Sequence, residues 1–509
     1  MDKTVFFGSV CVIVTFILFT LMNIDVAENL FNQLKTNVTT HFGWLFNLSV
    51  QIFLFFVLFL AIGRFGQVRL GGVDCRPEYS LMTWFAMLFS AGMGIGLMFW
   101  SVAEPVFHFS APPLGQGNTP QAAVQAFEIT FLHWGFHAWA IYAVVGLTVA
   151  YKTFNKNRPL TISSAFYPLL GEKWVNRWPG KAIDITAVVA TLFGVATSLG
   201  FGASQVSAGL NFVFGVPQTV WVKVAIICAI TLLATLSVVS GLDKGVKRLS
   251  QLNLFGALML MLLVFIAGPT LFLLKSFVEH FGGYVSKLIS LASWNNSYDA
   301  QSTWQGSWTV FYWAWWIAWS PFVGLFIARI SKGRTIRQFV LGVLLVPTLM
   351  TCIWINTFGG AALYHELFGG GGITEAVNND VATALFVLLE QYHIGLWVSV
   401  LAMFMVVIFF VTSSDSGSLV IDYIASGGAL HPPKAQRVFW ALLQGVVAAV
   451  LLLGGGLAAL QTAAIVTGLP FMLVLLFMCV ALYKTLNQDF PRDKKTSILT
   501  NTNNQQEKK

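Results

Sequence analysis

Tryptophan is dense in two places. The stretch YWAWWIAWSPFVGLFIARIS (312–331) holds Trp313, Trp315, Trp316 and Trp319, and FLHWGFHAWAIY (131–142) holds Trp134, Trp139 and Tyr142. Aromatic faces attract a quaternary ammonium through the ring quadrupole, by about 0.5–2 kcal/mol per desolvated contact. Trp308, Tyr312, Trp315, Trp316 and Trp319 recur every three or four residues and so share one helix face. Trp134, Trp139 and Tyr142 spread over roughly 140° of arc at 100° per residue. A cation caged by such faces has no N–H to donate, so a carboxylate offers it charge and no hydrogen bond. Acidic residues inside the apolar stretches are correspondingly few: Glu104, Glu128, Asp184, Asp415 and Asp422, nearly all near ends or among small residues.

Gly92, Gly94 and Gly96 alternate in SAGMGIGLMF (90–99). Close packing of membrane helices uses small residues four apart, so alternation suits unwound backbone instead. Unwound backbone at membrane depth is tolerated only where it is buried or lines a cavity, and N–H groups freed at Gly92–Gly96 can receive a carboxylate. Ser320-Pro321, with Gly324 behind it, predicts a second interruption. His133 and His137 stand one turn apart, which suits a proton relay or a metal. No third ligand accompanies them in the sequence, and polar packing beside the cage is the better reading. Asp415, in TSSDSGS, reads as a structural acceptor, and Thr412-Ser413-Ser414 on its own is equally polar glue between helices.

The elements that must position these residues are membrane spans. Of 509 residues 56% are hydrophobic and 10% charged, against about 25% charged in soluble domains. Twelve apolar stretches are predicted to span, near 5–24, 46–64, 82–103, 128–150, 183–211, 219–240, 252–274, 307–331, 338–362, 394–422, 437–455 and 462–483. The first is too long for a signal-peptide core and lacks a small-residue cleavage site, so it reads as a retained anchor. With the N-terminus inside, every Lys and Arg except Lys35, Lys223, Lys275 and Lys287 falls on the inner side. The net charge of +8 is thus topogenic, which excludes nucleic-acid binding. The five cysteines are scattered and suggest neither disulfides nor a metal site.

Residues 277–292 and 374–391 read as amphipathic helices on the outer surface, and the chain from 484 as a short disordered cytoplasmic tail. Trp304 and Trp308 fit an interfacial aromatic belt. Trp315, Trp316 and Trp319 lie halfway along their span, where a belt has no reason to be. Spans three to seven and eight to twelve make two runs of five. Five is odd, so the second run enters the membrane from the opposite side, the arrangement of inverted repeats around a midplane site. The units expected are two N-terminal helices (1–81), a first repeat (82–276), an outer helix (277–306), a second repeat (307–483) and the tail (484–509).

AGMGIG in span three, Trp134-x4-Trp139-x2-Tyr142, WWIAWSPFVGLFIARISKGRT in span eight and VTSSDSGS in span ten together resemble the betaine/carnitine/choline transporter family over essentially the whole chain. The resemblance implies an all-α protein of twelve helices, the last ten in two inverted five-helix repeats of the LeuT-like amino-acid-transporter type. It implies quaternary-ammonium substrates in an aromatic box, and frequently a homotrimer. By motif, Trp134, Trp139, Tyr142 and Trp316 are the box walls, Trp315 and Trp319 lie beside them, and Gly92, Met93 and Gly94 receive the substrate carboxylate. A sodium site is implied at Ser90 and Met93 with Phe409, Thr412 and Ser413. A second is implied at Thr191 and Phe322, but Val195 stands where a further hydroxyl ligand is expected. Sodium-independent exchangers carry an arginine in the stretch that here reads LSQLN (249–253), which has none.

The expectation is therefore a Na⁺-coupled uptake carrier for glycine betaine in a bacterial plasma (inner) membrane, both termini cytoplasmic. Na⁺ is the coupling ion and no cofactor is expected. Choline or carnitine, carried with protons or by exchange, is the alternative. A membrane-embedded enzyme would need a polar catalytic cluster at membrane depth, and the sequence displays none.

Overall fold

The computed structural model describes residues 1–491 except 93, 241, 242, 300, 301, 393, 394, 430 and 431. Side chains at 91, 92, 240 and 243–250 also fall outside the description. Met93, and the expected tail from residue 492, thus lie outside the described residues.

α1 (Lys3–Met22) starts on Asp2, whose side chain accepts the Val5 N–H and so satisfies one donor of the first turn. Asn23 turns the chain directly into α2 (Ile24–Ile62), so the connection expected over 25–45 is instead the polar first half of a 39-residue helix. Its polar residues leave a buried stripe at Ala27, Phe31 and Val38, and Phe31 stacks on Phe16. A helix forms wherever one face is apolar.

The third span is interrupted as expected, α3 (Leu81–Gly92) and α4 (Ile95–Ser110) being bent by 67°. The fourth is interrupted too, without a sequence expectation: α5 (Pro120–Trp134) and α6 (Phe136–Lys156) part at Gly135. A Cβ at Gly135 would collide with the Phe131 carbonyl and the Tyr284 hydroxyl.

α7 (Tyr167–Val175) lies in a basic connection before α8 (Trp178–Phe214), α9 (Val220–Ser240) and α10 (Asp243–Ala267). Gly268-Pro269 ends α10, and α11 (Thr270–Ser293) leaves at 109°. Residues 270–274, expected in span seven, therefore belong to the same helix as 277–292. Proline lacks the N–H that would carry α10 further.

α12 (Trp304–Ser307) leads into α13 (Thr309–Ile330), which runs unbroken through Ser320-Pro321, contrary to the expected interruption. Pro321 has no N–H for the Ile317 carbonyl, and the Ser320 hydroxyl donates to that carbonyl at 2.7 Å instead. One hydroxyl thus replaces the lost backbone bond.

α14 (Ile336–Phe368) begins at a capping box of Thr335 and Gln338. The helix expected over 374–391 is in pieces: α15 (Ile373–Asn379), a 3-10 turn (Val381–Thr383) and α16 (Ala384–Gln391). Leu385, Phe386, Leu388 and Leu389 are buried, and α15 and α16 pack on α4. α17 (Gly395–Ala425), α18 (Lys434–Leu453) and α19 (Gly456–Asp489) complete the chain. α19 continues past 484, where the disordered tail was expected. Asp489 holds its end by accepting the Tyr151 hydroxyl and the Lys156 ammonium, each at 2.5 Å.

Among the described residues ten helices are long and apolar enough to cross a membrane, and up to twelve spans result if each bent pair counts as one. The protein is an all-α, multi-pass membrane protein. Packing between the two runs of five is reciprocal: α6 on α13 and α4 on α14, α8 on α19 and α10 on α17, with α8 on α17 and α9 on α18. At the α6–α13 crossing a Cβ on Gly146 would come within 3.1 Å of the Gly324 carbonyl. Glycine there lets two backbones approach, the usual device where lipid gives no hydrophobic drive between helices.

Candidate functional site

The break at Gly135 puts Trp134 on the last residue of α5 and Trp139 and Tyr142 in the first turns of α6. The wide arc calculated for one straight helix is thereby folded toward a common cavity. That cavity is lined by Gly94, Gly96, Trp134, Trp139, Tyr142, Ser198, Trp315, Trp316, Trp319 and three other residues, none of them charged. Trp134 meets Trp316 edge to face at 4.8 Å between centroids, and Trp315 stacks on Trp316 at 4.8 Å and 12°. Tyr142 stands at 77° to Trp316 and 78° to Trp139.

Four of the five indole N–H groups around the cavity are bonded away to the protein. Trp134 donates to Glu104 Oε2 (2.7 Å), Trp315 to Ser198 Oγ (3.2 Å), Trp316 to the His133 carbonyl (2.8 Å) and Trp319 to the Gly194 carbonyl (2.8 Å). Bonding the N–H fixes each ring and satisfies its one polar atom. What those four rings turn toward the cavity is aromatic surface.

The glycines divide the work. A Cβ on Gly96 would sit 2.6 Å from Trp315 Cη2 and 3.2 Å from Trp134 Cη2, so Gly96 lets α4 approach the tryptophans. A Cβ on Gly94 would meet nothing within 4 Å. Gly94 caps α4 at the cavity wall, where the first N–H groups of a helix have no intrahelical partner. Gly92 ends α3, and Met93 lies outside the described residues.

Trp308 and Trp304, expected in an interfacial belt, are half-buried among other rings. Trp308 packs on Trp100 (5.6 Å), Phe107 (5.5 Å) and His108 (4.6 Å), and Trp304 on His108 and Trp294. With Phe99 and Phe201 stacked at 5.0 Å, these rings close the bundle beside the cavity.

A second, larger cavity shares Trp319 as a wall. It is lined by Tyr79, Thr83, Ser90, Gln251, Asn253, Phe322, Phe409, Thr412 and Ser413 among others. The structure therefore brings together Ser90, Phe409, Thr412 and Ser413, drawn from α3 and α17. The Thr412 hydroxyl is engaged on its own helix with the Ile408 carbonyl (2.9 Å). Phe322 lines this cavity, whereas Thr191 lines neither and bonds the Ala187 carbonyl (2.7 Å).

Sequence reasoning passed over Glu104. This fully buried carboxylate accepts His133 Nδ1 (2.6 Å), His108 Nε2 (3.3 Å) and Trp134 Nε1 (2.7 Å), together with the Tyr312 hydroxyl. The ligating atoms of Glu104, His108 and His133 lie within 4.8 Å of one another, so a polar cluster does exist at membrane depth. Both carboxylate oxygens are already taken by ring and hydroxyl donors, which makes the cluster an anchor for box residues. His137 belongs elsewhere: Gly135 separates it from His133, and its Nε2 meets Gln51 Oε1 at 3.2 Å. Asp415 accepts from Arg437 at 2.8 Å, in keeping with a structural role. The only sequence signal for Glu104 was an isolated acid inside a span, which by itself marks function without naming a partner.

A polytopic helix bundle with an aromatic cavity at an interrupted helix defines a membrane transporter. The chain belongs to the betaine/carnitine/choline family of transporters, whose model matches residues 4–491. It is 49% identical over 496 residues to an uncharacterized transporter of Mycobacterium tuberculosis, covering 96% of this chain and 83% of that one. It is 43% identical to a glycine betaine transporter of Bacillus subtilis (98% and 97% covered). A glycine betaine/proline/choline transporter of Vibrio parahaemolyticus is 46% identical (94% and 89% covered).

Proposed function

We propose that the protein takes up a quaternary-ammonium solute, glycine betaine foremost, by Na⁺ symport through alternating access. The observation that carries this reading is the cavity of Trp134, Trp139, Tyr142, Trp315, Trp316 and Trp319, with no charged lining residue. Such a box suits a trimethylammonium head, which presents charge and methyl groups but no donor. The substrate carboxylate is received by the Gly92–Gly94 segment and the first N–H groups of α4. Relatives named as glycine betaine transporters support the choice of solute.

Na⁺ binds between α3 and α17, at Ser90, Met93, Phe409, Thr412 and Ser413, where carbonyl and hydroxyl oxygens suit a hard cation. Gln251 and Asn253, on the wall of the same cavity, occupy the stretch that carries an arginine in sodium-independent exchangers, and neither is cationic. A second ion at Thr191 and Phe322 is the weaker proposition, with Val195 in place of a hydroxyl. The reciprocal packing of the two runs of five supports inverted repeats that rock about the box. With the Lys- and Arg-rich loops and both termini cytoplasmic, the larger cavity, which reaches Tyr79, opens inward. The working assembly is a homotrimer in a bacterial plasma membrane.

Choline or carnitine is the second reading, and the relative named for betaine, proline and choline favours choline. Uptake of labelled betaine, choline and carnitine into proteoliposomes, with and without a Na⁺ gradient, separates these readings. Undiminished betaine uptake without Na⁺ ends the symport reading.

A further inference from the structure

Glu104 is surrounded by hydrogen-bond donors. His108 Nε2 faces the carboxylate while its Nδ1 is buried with no partner. An imidazolium there would strand a buried N–H, so His108 is neutral. His133 Nδ1 also faces Glu104, and its Nε2 lies 3.0 Å from Thr309 Oγ1. Among the described residues this imidazole is the one hydrogen-bond partner of the Thr309 hydroxyl. Trp134 Nε1 and the Tyr312 hydroxyl supply the other two donors. Four donors match the acceptor capacity of an ionised carboxylate. Among the described residues no lysine or arginine pairs with it. The carboxylate is thus buried with no fixed cation of the described residues beside it.

That charge stands directly behind the box. Trp134 is the partition: its N–H is on Glu104 and its ring lines the cavity. A buried charge is expensive unless something pairs with it, and the open position across the indole is where a cation would sit. We infer that Glu104 is the counter-charge of the substrate's quaternary ammonium, acting through Trp134 without touching the ligand. It selects a cationic head over an uncharged head of the same shape, a distinction the aromatic faces make only in part.

The inference rests on the box reading and is tested beside it. The ligands are glycine betaine and 3,3-dimethylbutanoate, which replaces the ammonium nitrogen by carbon. Both compete with labelled betaine for the full-length protein in proteoliposomes. A unit charge several ångströms away at an effective dielectric of about 20 predicts that Glu104→Gln lowers the preference for betaine over its isostere by about tenfold. The isostere's own affinity changes little, and Glu104→Asp retains the preference. Equal weakening of both ligands, or an unchanged ratio, overturns the inference and leaves Glu104 a structural anchor. If Glu104→Gln does not fold, His108→Lys reads the same quantity, since it brings an ammonium to the carboxylate and alters no box residue. A box failure looks different: Trp316→Leu would then leave betaine affinity intact.

Discussion

Trp134 and Trp316 meet at 4.8 Å and 70° across the wall of the aromatic cavity, and each sends its N–H away from it, Trp134 to Glu104 and Trp316 to the His133 carbonyl. One tryptophan comes from α5 and the other from α13, so the pair joins the two runs of five helices at the proposed binding site.

Removing one ring of that pair removes a cation–π face. Trp316→Leu is expected to raise the KM for betaine roughly thirtyfold, the equivalent of about 2 kcal/mol for a desolvated contact. Initial-rate uptake measures it. A KM within twofold of the parent would count against the box.

Gly94 and Gly96 are expected to respond differently to the same added methyl. Gly96→Ala drives a Cβ to 2.6 Å from Trp315 and 3.2 Å from Trp134. Overpacking of this kind costs about 1–3 kcal/mol, so Tm and betaine affinity fall together. Gly94→Ala meets open space at an extended φ of −165° and should leave Tm unchanged. Thermal unfolding in detergent distinguishes the two, and equal losses would contradict the packing account.

Ser320 and Pro321 form a thermodynamic cycle. Ser320→Ala strands the Ile317 carbonyl and is expected to destabilise by about 1 kcal/mol. With Pro321→Ala already present, a backbone N–H takes that carbonyl and the serine loses its importance. Denaturation of the single and double variants reads the coupling, which additive losses would disprove.

Tyr284 ties the surface helix α11 to the broken fourth span by accepting the Phe136 N–H at 3.0 Å. Tyr284→Phe leaves that N–H without a partner, at about 1–3 kcal/mol. Because Phe136 lies between Trp134 and Trp139, betaine affinity should fall along with stability. Ligand-dependent tryptophan fluorescence and Tm report the two effects, and full retention of both would show that the contact is dispensable.

Thr412→Ala tests the ion site. Losing one oxygen ligand is expected to weaken the apparent Na⁺ affinity for uptake by about tenfold, or 1.4 kcal/mol. Betaine KM at saturating Na⁺ should stay near the parent value. An unaltered Na⁺ dependence would remove Thr412 from the site.

The sequence by itself determined the membrane class, the spans, the break at the alternating glycines and the two tryptophan-rich segments. These follow from local properties: the apolar length that crosses a bilayer, the helical repeat that groups Trp308, Tyr312, Trp315, Trp316 and Trp319, and the backbone freedom of glycine. The tertiary structure decided what depends on groups distant in the chain. Pro321 announced a break, yet the hydroxyl beside it restored the lost bond and α13 continued. Gly135 gave no such announcement, and the close approach of Phe131 and Tyr284 made it the point where the fourth span parts. Glu104 was one acid among several in the sequence. Its meaning came only when donors 29, 30 and 208 residues away converged on it. A hydrogen bond depends on position in space, and the chain order of three helices does not state which side chains will share one carboxylate.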